Sequence, residues 1–371
     1  MAMRIAVIGT RGIPDIQGGV ETHCQELFPR IAAMGHDVTV IRRRSYVTPD
    51  LPRKEWRGVK LIDLYTPRKK SLEAIVHTFL AVCRARALSP DIVHIHAVGP
   101  SLLTPLARLL GLRVVVTNHG PDYDRAKWGR MAKAVLRAGE RAAARFANRE
   151  IVISKVIAQI QADRYGRTDT DLIYNGVNPP QLPVADDYVR SLGLVPGRYV
   201  LGLGRFVEEK GFHDLIDAFV KAAPAGWKLV LAGDADHEDA YSRHLKEKAA
   251  AAGVVLTGFI KGEKLHQITG NAGVYAMTSY HEGLPIALLE ALSYGLDAVV
   301  SNIPANRLEC LDAGQFYRVG DVDALAASLS AACARDSHRR TYDLSAYNWD
   351  AIARQTVEVY RKAAKTKKAR E

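Results

Sequence analysis

Short apolar runs alternate with longer stretches of helical spacing along almost the whole chain. Residues 3–9 (MRIAVIG) have the pattern of a buried strand. In 20–34 the apolar residues Val20, Cys24, Leu27, Phe28, Ile31 and Met34 recur at helical spacing and stop at Gly35. The same reading predicts strands at 36–41, 59–64, 91–96, 113–117, 150–153 and 171–174, with helices at 71–88, 101–110, 126–147 and 154–165. Residues 176–197 hold Pro179, Pro180, Pro183 and Pro196 with little periodicity, which predicts a linker. The alternation then restarts, with strands at 199–203, 228–232, 254–257, 274–277 and 298–301. Helices fall at 211–223, 238–251, 263–269, 286–293, 322–334 and 348–364, and Asp321 is placed to cap the helix at 322.

Strands that alternate with helices build a parallel sheet covered on both faces. The expected architecture is therefore α/β, with two Rossmann-like domains at 1–175 and 198–347 and a final segment, 348–371, packing back on the first. Ligands on such sheets lie beyond the carboxyl ends of the strands. Two such domains facing each other would put a site in the cleft between them.

Composition narrows the class. The chain has 371 residues, 48% apolar and 25% charged, enough for two ordinary cores. Cys24, Cys83, Cys310 and Cys333 are scattered, without a Cys-x-x-Cys pair or a His–Cys cluster, which fits a reducing cytoplasm and argues against structural zinc. A strand so near the start leaves no room for a signal peptide, and no run of about 18 uncharged apolar residues occurs. Charge is unevenly placed: residues 1–175 carry 28 Lys and Arg against 16 Asp and Glu, and the remainder 23 against 24. The basic half suits a nucleic acid, an anionic membrane surface or a phosphorylated substrate; arginine-rich solvated helix faces account for it equally well.

Candidate chemistry sits at the predicted strand ends. In 281–290 (HEGLPIALLE) a strand passes through a glycine turn into a helix, with Pro285 in the first helical turn, where its missing N–H costs nothing. The helix start suits an anion such as a diphosphate, and Glu282 and Glu290 suit hydroxyls on either side of it. Arg205 and Lys210 lie in the loop after the strand at 199–203, as cations fit for a pyrophosphate. The glycines near the start do not fit the Gly-x-Gly-x-x-Gly fingerprint, and Arg42-Arg43-Arg44 stands where an acidic residue would hold NAD. His94 and His96 share one face of a strand, but a metal pair needs a third ligand and no spacing supplies one. The pairs Asp169/Asp171 and Asp234/Asp236 read as loop carboxylates rather than a metal site.

Taken together, Gly204-Arg205-x4-Lys210-Gly211, Gly258-Phe259, Glu282-x7-Glu290 and Ala291-x3-Gly295 resemble the retaining family-four glycosyltransferases of GT-B fold. In the first half, 9–14 (GTRGIP) with 18–22 (GGVET), then His119-Gly120 and 125–129 (RAKWG), resemble the subgroup that contains bacterial rhamnosyltransferases of surface-polysaccharide assembly. The resemblance implies a nucleoside diphosphate sugar as donor and a glycan or polyprenyl-linked saccharide as acceptor, with retention and with neither cofactor nor metal. It implies that Arg205, Lys210 and the N–H groups of Gly283, Leu284 and Ile286 hold the diphosphate, and that Glu282 holds the sugar and Glu290 the ribose. Gly204 opens that cation loop. Phe259 and Ile260 would meet the base through backbone atoms, Gly18 and Gly19 would let the backbone approach the donor, and His119 would face the transferred sugar. Asp297 departs from the proline usual after Gly-x in this family and reads as structural. Arg42–Arg44, Arg68-Lys69-Lys70, Arg137, Arg141 and Arg145 form a basic patch suited to an anionic membrane at its cytoplasmic face. RNA would want aromatic stacking platforms that the chain lacks, so no nucleic acid is expected. Two other readings remain: a sugar-nucleotide epimerase of the same fold, and a binding protein that grips an acidic partner with its basic half.

Overall fold

The computed structural model describes residues 2–67, 70–121, 123, 129–182, 184–236 and 238–365. The chain divides into two compact units, Met1–Gly176 with Tyr347–Glu371, and Val177–Ala346.

The first unit contains β1 (Arg4–Ile8), α1 (Gly19–Ala33), β2 (Asp37–Arg43), β3 (Glu55–Trp56), β4 (Val59–Leu64), α2 (Lys70–Leu88) and β5 (Ile92–His96). It continues with α3 (Thr104–Leu109), β6 (Val114–Asn118), α4 (Arg130–Phe146), β7 (Arg149–Val152), α5 (Lys155–Tyr165) and β8 (Asp171–Leu172). The sheet order is β3-β4-β2-β1-β5-β6-β7-β8, parallel except for the antiparallel hairpin of β3 with β4. Apolar residues fill both faces: Ile5, Val7, Phe28 and Val38 on one side, Ala6, Ile8, Val93 and Val116 on the other.

The second unit contains α6 (Asp187–Ser191), β9 (Tyr199–Leu203), α7 (Phe212–Ala222), β10 (Lys228–Ala232), α8 (Ala240–Ala251), β11 (Val255–Gly258) and α9 (Glu263–Gly270). Then come β12 (Val274–Met277), α10 (Ile286–Ser293), β13 (Asp297–Ser301), β14 (Phe316–Tyr317) and α11 (Val322–Cys333). Its sheet order is β11-β10-β9-β12-β13-β14, with every pairing parallel. Asp321 caps α11 by accepting the Ala324 N–H at 2.9 Å. The last helix, α12 (Trp349–Lys365), returns to the first unit, and its Ile352, Val357 and Tyr360 lie in that unit's core.

Three expectations need correction. The segment read as linker is not structureless: α6 lies in it, and the Tyr188 N–H donates to Gln267 on α9 at 2.8 Å. Pro285 is not in the first turn of α10 but one residue before it, extended at φ −76° and ψ 110°. Arg42 and Arg43 are not part of any basic surface. Arg42 is fully buried and pairs with Asp63 at 2.7 Å, and Arg43 pairs with Glu73 at 2.8 Å. Arg44, Arg137, Arg141 and Arg145 are exposed. Arg68 and Lys69, the stretch 125–128 and the basic tail lie outside the described residues.

No described helix is long and apolar enough to cross a membrane.

Candidate active site

In the second unit, the cations come from the turn between β9 and α7. Gly204 continues β9 by donating its N–H to Ala232 at 3.0 Å, and the Phe206 N–H donates to Asp234 at 3.1 Å. Arg205 projects between these anchors and pairs with Asp236 at 2.8 Å. A single 3₁₀ turn, Glu208–Lys210, then ends at Gly211, whose φ of +65° lies in the left-handed region. A Cβ there would collide with the Thr278 carbonyl, so only glycine lets the cation loop lie against the end of β12. Two hydrogen bonds fix that contact: the Thr278 hydroxyl donates to the Lys210 carbonyl at 2.7 Å, and the Tyr280 N–H to the Glu209 carbonyl at 2.8 Å.

Lys210 is thereby aimed at the residues after β12, and its Nζ lies 2.6 Å from a Glu282 carboxylate oxygen. Both side chains are mostly shielded, at 17% and 13% exposure, so the contact is stronger than a surface ion pair would be. Leu284, Pro285 and Ile286 are buried, which seats the start of α10 in the core and leaves Glu282 and Gly283 half-buried at its mouth. Glu290 lies one turn in from that start, also half-buried. Beneath the two glutamates stands Tyr275 of β12, fully buried. Burial and the nearby Glu282 and Glu290 carboxylates push its phenol pKa well up. At the end of β11, Phe259 is 48% exposed and Ile260 half-buried.

The structure thus gathers Gly204, Arg205, Lys210, Phe259, Ile260, Gly283, Leu284, Ile286, Glu282 and Glu290 at the carboxyl ends of one sheet's strands and the starts of the helices that follow. No local spacing in the sequence marks Asp236 as Arg205's partner. Its only sequence signal was the Asp-x-Asp pattern, and its companion Asp234 is taken by Lys246 at 2.9 Å. Asp297, the departure from the family pattern, is fully buried. It pairs with Arg335 and, at 2.7 Å, with Arg340, a structural role remote from the cation loop.

In the first unit, Gly18 precedes α1 at φ +147°, and a Cβ there would collide with the Glu21 carboxylate. Glu21 in turn accepts from the Thr10 hydroxyl at 3.1 Å and the Arg11 N–H at 2.9 Å, closing the loop over its own helix start. Gly19 opens the helix with nothing near its missing Cβ. His119 follows β6. The Asn118 side chain holds its loop by accepting the Gly120 N–H at 3.0 Å, and the Asn118 amide donates to the buried Glu140.

His119 is not alone. Its Nε2 lies 3.0 Å from His96 Nδ1, and its ring stands edge-on to His23 at 4.9 Å between centroids. The further imidazoles, for which strand spacing offered no candidate, are therefore two: His23 from α1 and His119 from the loop after β6. His94 and His96 do share a face, at 4.1 Å between centroids, but His94 spends both nitrogens on Tyr360 and Thr117 at 2.7 Å each. Burial pushes every one of these imidazoles down, His23 to about 4 and His94 to about 3, with His96 and His119 also well below the ordinary value. They are neutral at pH 7.

This arrangement of two α/β units, with a cation loop and a glutamate pair on the second, defines a nucleotide-sugar enzyme class. Residues 17–181 match the family model described as Glycosyltransferase Family 4, and residues 188–349 match the one described as Glycosyl transferases group 1. The two matches divide the chain between them, and the chain is a glycosyltransferase of GT-B fold that uses a nucleotide sugar donor.

Among its relatives is an uncharacterized glycosyltransferase of Methanocaldococcus jannaschii, 26% identical, over 97% of this chain and 98% of that protein. A GDP-mannose:cellobiosyl-diphosphopolyprenol alpha-mannosyltransferase of Xanthomonas oryzae is 26% identical over 74% of this chain and 75% of its own. Among solved structures, sucrose-phosphate synthase of Thermosynechococcus elongatus matches 97% of this chain and 98% of its own at TM-score 0.80 and 22% identity. Anabaena HepE in complex with UDP-glucose matches 98% and 99% at TM-score 0.73 and 20% identity.

Proposed function

We propose that this chain transfers a hexosyl or deoxyhexosyl group, rhamnosyl among the candidates, from a nucleoside diphosphate sugar to a glycan or polyprenyl-linked saccharide, with retention and without a metal. The observation that carries the reading is the Lys210–Glu282 contact at 2.6 Å, which joins a phosphate-binding cation to a hydroxyl-binding carboxylate at the mouth of α10. The cellobiosyl-diphosphopolyprenol mannosyltransferase supports a lipid-linked acceptor, and the UDP-glucose complex of HepE supports the donor class.

In this reading the donor diphosphate takes over Arg205 and Lys210 from Asp236 and Glu282, and Glu282 then turns to the sugar hydroxyls and Glu290 to the ribose. Phe259 and Ile260 border the base, and Gly283, Leu284 and Ile286 offer backbone N–H groups. Gly18, Gly19 and His119 of the first unit complete the donor contacts. The bond from the anomeric carbon to the phosphate oxygen breaks while the acceptor hydroxyl attacks on the same face, and its proton passes to the departing phosphate. No protein nucleophile is needed. Catalysis is positioning plus stabilisation of charge on the leaving group.

A thermal-shift panel of UDP, dTDP, GDP and ADP tests the reading, because a nucleotide in excess over its Kd raises Tm. One base is expected to stand out, and absence of any shift would overturn the donor assignment. The exposed Arg137, Arg141 and Arg145 on α4 favour an anionic membrane near the acceptor. Failure to co-sediment with anionic vesicles at low salt would remove that part.

A further inference from the structure

We propose that His23, His96 and His119 form a binding site for one divalent transition-metal ion of the zinc class. The three residues come from α1, the end of β5 and the loop after β6, and one nitrogen from each lies within 4.8 Å of the other two. Three imidazoles bound to a tetrahedral ion at about 2.0–2.1 Å would have their nitrogens roughly 3.3 Å apart. One pair, His96 Nδ1 and His119 Nε2, already stands at 3.0 Å.

Two further observations point to a ligand. His23 Nδ1 lies 2.9 Å from the Asn175 side-chain oxygen, which can only accept, so Nδ1 carries the proton and Nε2 presents its lone pair. This is the outer hydrogen bond that orients a metal-binding imidazole. Moreover, His23 Nε2 is a buried nitrogen with no hydrogen-bond partner among the described residues, an arrangement that costs free energy unless something fills it. His94 is excluded because Tyr360 and Thr117 take both of its nitrogens. His119, the half-buried member, supplies the entry path. An all-imidazole donor set selects zinc, copper, nickel or cobalt over magnesium and calcium. A bound ion would tie the glycine-loop helix α1 to the loop that carries His119. This site shares His119 with the donor contacts proposed above, while the transfer itself needs no metal.

Tag-free, chelator-stripped full-length protein titrated with Co²⁺ gives the test. The expected result is one equivalent bound, with the visible absorption of a tetrahedral ion, displaced by Zn²⁺, and a raised Tm. His119→Gln, at a half-buried position, and His23→Gln should each weaken binding about tenfold or more. His244→Gln, on the exposed face of α8, should leave it unchanged. Absence of the absorption, or its survival in both His119→Gln and His23→Gln, would overturn the proposal.

Discussion

The two units organise their functional groups in opposite ways. In the second, each cation of the loop between β9 and α7 is matched to a carboxylate: Arg205 to Asp236 and Lys210 to Glu282. In the first, His23, His94, His96 and His119 stand together with no carboxylate at hydrogen-bond distance among the described contacts, held by neutral partners such as Asn175, Tyr360 and Thr117. Charge pairs can exchange partners, so the cation loop can pass from its carboxylates to an incoming anion. Neutral imidazoles in a dry setting cannot accept a proton cheaply, so the first cluster is built to stay uncharged or to meet a neutral or Lewis-acidic guest.

The hardest blow to this contrast is removal of the exchangeable cation. Lys210→Ala is expected to lower kcat by about 10²–10³-fold, as for loss of one donor to a developing oxyanion, with little change in acceptor KM. An unchanged kcat in steady-state assays would deny Lys210 its role.

Acid should separate the two units next. His23 has its folded pKa lowered to about 4 and His77, also in the first unit, likewise to about 4, from an ordinary 6.5. The unfolded chain therefore binds more protons between pH 6.5 and 4. The stability these groups contribute is complete above 6.5 and is lost as pH falls through that window. Glu150, raised to about 7 by burial, acts in the opposite sense and offsets part of the loss. In chelator-treated protein the Tm of the first unit should drop from pH 7 to 4.5, whereas the second unit should change less. Equal losses would erase the distinction.

His94→Leu sharpens the same point at neutral pH. It strands the buried Tyr360 hydroxyl and the Thr117 hydroxyl, at a cost of about 1–3 kcal/mol for each, and the loss should appear in denaturant unfolding of the first unit alone. The smallest effect is expected from Asp236→Asn, which keeps the shape but frees Arg205. Nucleotide affinity measured by calorimetry should tighten by a few-fold, and weakening would mean that Asp236 orients the guanidinium rather than competing for it.

Much of this was legible in the chain. The apolar runs of β1, β5, β9 and β12 lie on buried strands, and Arg205, Lys210 and Glu282 follow strand ends at short range, with Glu290 in the helix that comes next. What was hidden depends on distance in sequence. The partners of Arg42 and Arg43 are Asp63 and Glu73, 21 and 30 positions away, so a count of cations read as surface charge what is internal pairing. His23 meets His96 and His119 across three elements, and no local spacing encodes that meeting. Pro285 was misplaced by one residue because its fixed φ suits both the first helical turn and the extended residue before it. The hairpin of β3 and the strand β14 are two residues each, too short to show a period.

The return of α12 has a consequence for how the protein is made. Tyr360, which closes over His94, and Trp349, whose ring meets His23 at 5.5 Å, emerge from the ribosome after every residue of the second unit. The unit translated first is thus the last that can finish its core, and its exposed sheet face must wait through synthesis of its neighbour. A chain truncated after residue 346 would hold a complete second unit together with an unsealed first one. In that interval the histidine cluster lies open, and a chaperone or a metal could reach it unhindered.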